Sequence, residues 1–216
     1  GMTDASSMTA VLSSQRQLLR DVSHELRSPL ARLQVGLALA ERASDEKREQ
    51  LWPRLVQECE RLDNLIDEIL QLARVTHEQP SPERILLKPL LQELTEDATL
   101  LAPEQQIELH CPDGLHLLAD NRMLTRALDN LLRNALRFNP PGKPLKLTAM
   151  RKPGQKVLLQ VRDHGPGAPV DLLDKLATPF VRAGGQDANG YGLGLTITQR
   201  CAEQLNGNLE LENHPE

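Results

Sequence analysis

Ser23-His24-Glu25-Leu26-Arg27-Ser28-Pro29-Leu30 lies in a run where Leu19, Leu26, Leu33 and Ala40 recur every seven residues. Leu30 and Leu37 fill the positions four residues on, so the apolar spacing alternates between four and three. That is the seam of a helix packed against other helices. Ala43-Ser44-Asp45 interrupts it, and a second helix then carries Leu51, Leu55, Leu62, Leu65, Ile66, Ile69 and Leu72 on one stripe. Pro53 is expected in the first turn of that second helix, where a missing N–H does no harm. A two-helix hairpin does not bury both stripes by itself, whereas two copies side by side make a four-helix bundle. Residues 1–78 are therefore expected to form a dimerising hairpin.

Against this seam, His24 falls on the flank of the bundle and is expected to be exposed. A neutral imidazole has one free nitrogen lone pair for attack, and the carboxylate of Glu25 can orient the ring or accept its proton. Ser28 lies four residues on and faces the same way. Pro29 removes a helical hydrogen bond and is expected to bend the helix just past the histidine. Taken alone, His24 also fits a surface histidine among ordinary helix charges. A proline inside an otherwise uninterrupted heptad pattern adds weight to the functional reading.

Composition narrows the classes. A length of 216 residues allows one large domain or two small ones. The formal net charge is −5, and aromatics are 2% of the chain, namely Trp52, Phe138, Phe180 and Tyr191. An acidic chain with so few rings is a poor nucleic-acid binder, by either phosphate neutralisation or base stacking. Cys59, Cys111 and Cys201 are far apart and odd in number, which argues against both a disulfide framework and a zinc site. The longest apolar run, Val35 to Ala40, is far short of the roughly 18 residues a membrane span requires. Gly1-Met2 reads as a tag remnant before the start of the chain.

Gln79-Pro80-Ser81-Pro82 opens a linker over 79–83, and the pattern changes from residue 84 to 216. Short strands are expected at Ile85–Leu87, Ile107–His110 and Leu115–Leu118, with a helix over Pro89–Leu101. Asp120 is a candidate N-cap for a long helix ending near Phe138, stopped by Asn139-Pro140-Pro141-Gly142. Leu145–Met150 and Val157–Val161 read as an antiparallel pair, Leu193–Leu205 as a helix, and Leu209–Glu212 as a last strand. The expected architecture is an α+β two-layer sandwich, helices on one face of a mixed sheet.

Three segments of this second half bear chemistry. In the long helix, Asn130, Asn134 and Arg137 share one face, opposite Leu124, Leu128, Leu131 and Ala135. Asn carbonyls are hard ligands for Mg²⁺, and a guanidinium suits phosphate, although a solvated helix face reads the same way. In Asp163-His164-Gly165-Pro166-Gly167 the carboxylate is placed to accept from an amino group such as that of adenine. The glycines there let backbone approach a flat ligand, and a plain turn is the alternative. Gly190-Tyr191-Gly192-Leu193-Gly194-Leu195, just after Gly184 and Gly185, leads into a helix. A glycine-rich loop at a helix start offers N–H groups and a positive dipole end to phosphates. A flexible linker is the alternative here, but the apolar helix that follows weighs against it.

Taken together and in this order, the segments resemble the catalytic half of a two-component sensor histidine kinase. His24 to Leu30 is similar to that family's phosphoacceptor box, and Asn130 to Phe138 to its N box. Asp163 to Gly167 resembles the first glycine box, Thr178-Pro179-Phe180 the F box, and Gly190 to Leu195 the second glycine box. The resemblance implies an ATP-binding domain of the gyrase, chaperone and histidine-kinase superfamily. It implies that His24 takes the γ-phosphoryl group of ATP, with Glu25 as base or orienting partner. Asn134 would hold Mg²⁺, supported by Asn130. Arg137 would lie at the phosphates, Arg182 would belong to the ATP site, and Asp163 would read the adenine. Phe138, Gly165, Gly167, Phe180, Gly190, Tyr191, Gly192, Leu193, Gly194 and Leu195 would complete the pocket and its lid.

By the same resemblance, the phosphoryl group passes to an aspartate on a response regulator. Ser28 stands where the family more often has Thr, which places a water for dephosphorylating that regulator. The chain would be the cytoplasmic portion of a bacterial inner-membrane sensor, attached only through segments outside this sequence. The family's ATP domain usually has a further strand after the position of Leu209–Glu212, and only Asn213 to Glu216 follow here. An uncovered sheet edge is therefore expected. A degenerate dimeric scaffold is disfavoured by Asn134, Asp163 and the glycines, and an ATPase or serine kinase of the same superfamily by the hairpin with His24.

Overall fold

The computed structural model describes residues 2–182 and 192–214. It opens with two long helices, α1 (Met2–Arg42) and α2 (Asp45–His77). Arg48 fastens the turn between them. Its Nε and Nη2 donate to the carbonyls of Ala40 and Ala43 at 3.0 and 3.2 Å, and Nη1 meets Asp45 at 3.1 Å. A guanidinium on the last carbonyls of α1 and acidic Asp45 and Glu46 in the first turn of α2 both complement the helix dipoles.

The chain divides into two compact units, Gly1–Gln71 and Leu72–Glu216. In the first, Ala40, Leu55 and Leu65 are buried, and Leu26 and Leu33 are half-buried. Gly36 lets α1 approach α2 closely, because a Cβ there would overlap the Leu55 side chain. Leu19, Leu30 and Leu37 stay 66%, 41% and 51% exposed, so the seven-residue seam is only half covered within one chain. On α2, Ile66 also stays exposed, as do Trp52, Val56 and Leu70. Pro53 does not sit in a first turn. The helix starts at Asp45, so Pro53 lies in its interior on the exposed side, where it forfeits one hydrogen bond to water-facing backbone. Pro29 is likewise inside α1, and it is buried.

The second unit builds an α+β sandwich. Its elements are β1 (Glu83–Leu86), α3 (Leu87–Leu101), β2 (Ile107–His110), β3 (His116–Ala119), α4 (Asn121–Phe138), β4 (Leu145–Lys152), β5 (Lys156–Arg162), α5 (Val170–Leu173) and α6 (Gly194–Gln204). β1 pairs antiparallel with β3, with Ile85 opposite Leu117. β4 lies between β2, parallel to it with Leu109 opposite Leu147, and antiparallel β5, with Leu147 opposite Val161. Leu145, Leu147 and Ala149 alternate inward from β4 and meet Leu87, Leu91 and Leu94 of α3 and Leu128 of α4 in one core. Period-2 and period-4 stripes thus close on each other, which leaves the other sheet face outside.

In the second unit two expectations change and one element is new. Leu132, not Leu131, lies in the core: Leu124, Leu128, Leu132 and Ala135 follow a 4-4-3 spacing along α4, and Leu131 is only half-buried. The short helix α5 was not foreseen, because four residues are too few to show a period. Leu209–Glu212 is not a strand. Its residues alternate between half-buried and exposed, but among the described residues it forms no ladder, and alternation without a partner edge in register does not make a strand.

Candidate functional site

His24 is exposed on α1, as the seam predicts. Glu25 beside it is half-buried, and Ser28, one turn on, is exposed. These three belong to the first unit; every other candidate belongs to the second.

In the second unit, α4 is the organising element. Asp120 caps it, its Oδ1 accepting the Met123 N–H at 3.0 Å, which satisfies one of the helix's free amides. α6 packs along α4, with the Thr198 hydroxyl donating to the carbonyls of Gly194 at 2.9 Å and Ala127 at 3.4 Å. Between its buried stripes α4 presents half-buried Asn130 and Asn134, and exposed Arg137 follows near its end. Asn130 Nδ2 is buried and has no hydrogen-bond partner among the described residues. A buried amide donor left unmatched costs about 1–3 kcal/mol, so the position suits an acceptor-rich ligand such as a phosphate. The carbonyl oxygens of Asn130 and Asn134 are of the hard type that Mg²⁺ takes. Among the described residues, His, Cys, Asp and Glu form no metal cluster of their own.

The Asp163 loop closes onto the end of this helix. Asp163 Oδ1 accepts the Gly165 N–H at 2.7 Å. Gly165 packs so tightly that a Cβ would lie 2.8 Å from the Phe138 carbonyl oxygen, so the loop requires glycine there. Asn139, the C-cap of α4, is buried and joins three segments. Its Oδ1 accepts the His164 N–H at 2.9 Å, and its Nδ2 donates to Gln105 Oε1 and the Lys143 carbonyl, both at 2.8 Å. Gln105 Nε2 returns a bond to the Asn139 carbonyl at 3.0 Å. Further along, Asn213 holds Ala168 from both sides: its Oδ1 accepts the Ala168 N–H at 3.0 Å and its Nδ2 donates to the Ala168 carbonyl at 2.7 Å.

Phe180 and Gly192 meet in the same way. The Phe180 N–H donates to the Gly192 carbonyl at 3.1 Å. Both have positive φ, 65° and 73°, and a Cβ on Gly192 would lie 2.6 Å from the Val181 oxygen. Arg182 follows, half-buried. Leu193 is fully buried and Leu195 half-buried, and α6 begins at Gly194. Gly184, Gly185, Gly190 and Tyr191 lie outside the described residues.

The sequence reading took Asn139 only as part of the stop after the long helix, and did not single out Gln105 or Asn213. Each is an amide in a loop or at a helix end, and only its partners reveal it. A cleft of about 310 Å³ lined by Glu83, Arg84, Leu86, Leu90, Glu93 and Asn121 lies on the β1–α3 side and holds none of the candidates. No helix among the described residues is long and apolar enough to cross a membrane.

Comparison with known proteins gives two family matches. Residues 14–78 match the His Kinase A (phospho-acceptor) domain. Residues 119–216 match the histidine kinase-, DNA gyrase B-, and HSP90-like ATPase domain. The chain is 34% identical over 206 residues to the sensor protein PfeS of Pseudomonas aeruginosa, covering 94% of this chain and 45% of that protein. It is 34% identical over 212 residues to the sensor histidine kinase CpxA of Escherichia coli, covering 95% and 45%. The chain thus spans less than half the length of either relative. Among solved structures, the Acinetobacter baumannii histidine kinase AdeS is similar at 26% identity and a TM-score of 0.68, covering 88% of this chain and 91% of that one.

Proposed function

The chain belongs to the two-component sensor histidine kinases, and on that premise we propose that it phosphorylates its own His24 from Mg-ATP and passes the phosphoryl group to an aspartate of a response regulator. The observation that carries the reading is the buried Nδ2 of Asn130, unmatched among the described residues, on α4, the helix whose C-terminal end the Asp163 loop packs against.

In this reading Asn130 donates to a phosphate oxygen, and the Asn134 carbonyl holds Mg²⁺. Bound Mg²⁺ neutralises phosphate charge, as phosphoryl transfer requires. Arg137 and Arg182 add positive charge at the phosphates. Asp163 Oδ1 is engaged by Gly165, and Oδ2 is the oxygen that accepts from the adenine amino group. Gly165 and Gly167 admit the base, and Phe138 borders it. Phe180, Gly192, Leu193, Gly194 and Leu195 border the nucleotide at the start of α6, and Gly190 and Tyr191, outside the described residues, are assigned to the lid from the sequence alone. An imidazole nitrogen of His24 attacks the γ-phosphorus, and the bond to the β–γ bridging oxygen breaks. ADP leaves with that electron pair, while Glu25 orients the ring or takes its proton. In the second transfer the regulator's carboxylate oxygen attacks and the P–N bond breaks. Ser28 places a water for the reverse signal, removal of phosphate from the regulator.

The half-covered seam supports a homodimer through the hairpin, residues 1–78, and 84–216 serves as the ATP-binding domain. We assign the chain to the cytoplasmic side of a bacterial inner-membrane sensor, anchored by segments outside this sequence, with no nucleic-acid partner. His24 belongs to the first unit and the proposed nucleotide residues to the second. The linker at 79–83 is the proposed pivot.

Incubation with Mg²⁺ and γ-labelled ATP tests the proposal. Acid-labile, base-stable label that is absent from His24→Ala is the expected result. Label of the same stability in that variant overturns the assignment of His24.

A further inference from the structure

We infer that Asn139 is a positioning residue for nucleotide selectivity, setting the Asp163 loop against the end of α4. The inference rests on the reading of Asp163 as the adenine-sensing carboxylate. Asn139 is 4% exposed, and both polar atoms of its side chain are used. Its Oδ1 takes the N–H of His164, the residue between Asp163 and Gly165. Its own backbone N–H ends α4 on the Ala135 carbonyl at 2.9 Å. One residue therefore spans from the helix carrying Asn130, Asn134 and Arg137 to the loop carrying Asp163.

The bridge is held from behind. Gln105, 8% exposed, accepts from Asn139 Nδ2 and donates to the Asn139 carbonyl. This closed pair, with the Lys143 carbonyl, fixes the amide rotamer so that Oδ1 faces His164. Asp in this place would turn a carboxylate oxygen toward Gln105 Oε1 and the Lys143 carbonyl, both acceptors. Ser would be too short to reach all three partners. Releasing His164 N–H frees the loop to shift by fractions of an ångström relative to Phe138, against which Gly165 is already in close contact. The phosphate side on α4 stays where it is, while the adenine reader moves. The consequence is a loss of discrimination more than a loss of general nucleotide binding.

Calorimetric titration with non-hydrolysable ATP and GTP analogues tests this. Asn139→Ser is expected to lose about tenfold in ATP-analogue affinity, the equivalent of one buried hydrogen bond, with a much smaller loss for the GTP analogue. Equal losses for both, or none, overturn the inference and mark Asn139 as a general stabilising residue. Gln105→Met removes the support without touching His164. If Asn139→Ser does not fold, a fall in the ATP-to-GTP ratio in Gln105→Met supports the inference, and an unchanged ratio overturns it. Asp163→Asn separates the underlying reading: an unchanged ratio there overturns the role of Asp163 itself, whatever Asn139 does.

Discussion

The carboxylate of Asp120 joins two segments 39 positions apart: Oδ2 accepts the Ser81 N–H at 2.8 Å while Oδ1 caps α4 on Met123. One buried side chain thereby starts the helix that carries the candidate phosphate face and also ties down the linker. Nearby, Glu78 lies 4.0 Å from Arg126 of α4, a second and weaker tie.

Asp120→Ala removes both bonds at once. Loss of the cap alone costs about 0.5–2 kcal/mol. We expect the second unit to unfold at lower urea, with a broader response of the linker to proteolysis near Gln79. Urea titration with a probe in the second unit checks this, and an unchanged midpoint would refute the bridging role.

The same carboxylate sets a pH dependence. Burial acts to raise its pKa, but the N–H donors of Ser81 and Met123, aided by Arg122, outweigh it and leave it below the ordinary 3.8. A group with a depressed folded pKa stabilises above its unfolded value and loses that contribution as pH falls through the folded one. The stability gap between wild type and Asp120→Asn is therefore expected to be flat from pH 7 to about 5 and to shrink as pH falls through and below the ordinary value of 3.8. A gap that does not change with acid, followed by denaturant titration, would show that charge plays no part.

Gly192→Ala forces a side chain into positive φ, 2.6 Å from the Val181 oxygen. Backbone strain of this kind costs about 1–3 kcal/mol. Separation of the Phe180 turn from the start of α6 is expected, with weaker binding of an ATP analogue. Unaltered affinity by calorimetry would remove Gly192 from the lid.

Leu37→Lys places a charge on the uncovered half of the hairpin seam, where Leu37 is 51% exposed in one chain. Its effect on the single hairpin is expected to be small, because nothing is displaced from the core. Its effect on the proposed dimer is expected to be large, since the charge would be desolvated without a partner. Light scattering at matched concentration reports the shift toward monomer. A dimer that persists unchanged would move the interface elsewhere.

Much of this was readable from residue spacing. The heptad run predicted α1 and α2, and Asp120 and Asn139 predicted the ends of α4, because caps and periods are local. Asn130, Asn134, Asp163 and Gly192 were singled out differently, by the order of the motifs that carry them, because a solvated helix face or a plain turn reads the same way when each is taken alone. Leu131 was mistaken for Leu132 because adjacent leucines satisfy nearly the same helical stripe, and only the direction of the facing sheet separates them.

The chain order by itself determined two helices with one incompletely buried stripe, a glycine-bearing α+β unit and the chemical types in its site. What only the tertiary structure decided are the long-range partners. His164 bonds to Asn139 across 25 positions, Asn213 to Ala168 across 45, and Ser81 to Asp120 across 39. Helical period and capping act within a few residues and leave a mark on the sequence. A buried amide or carboxylate has one geometry but many possible partners along the chain, so its role appears only once folding has brought the right backbone group to hydrogen-bonding distance.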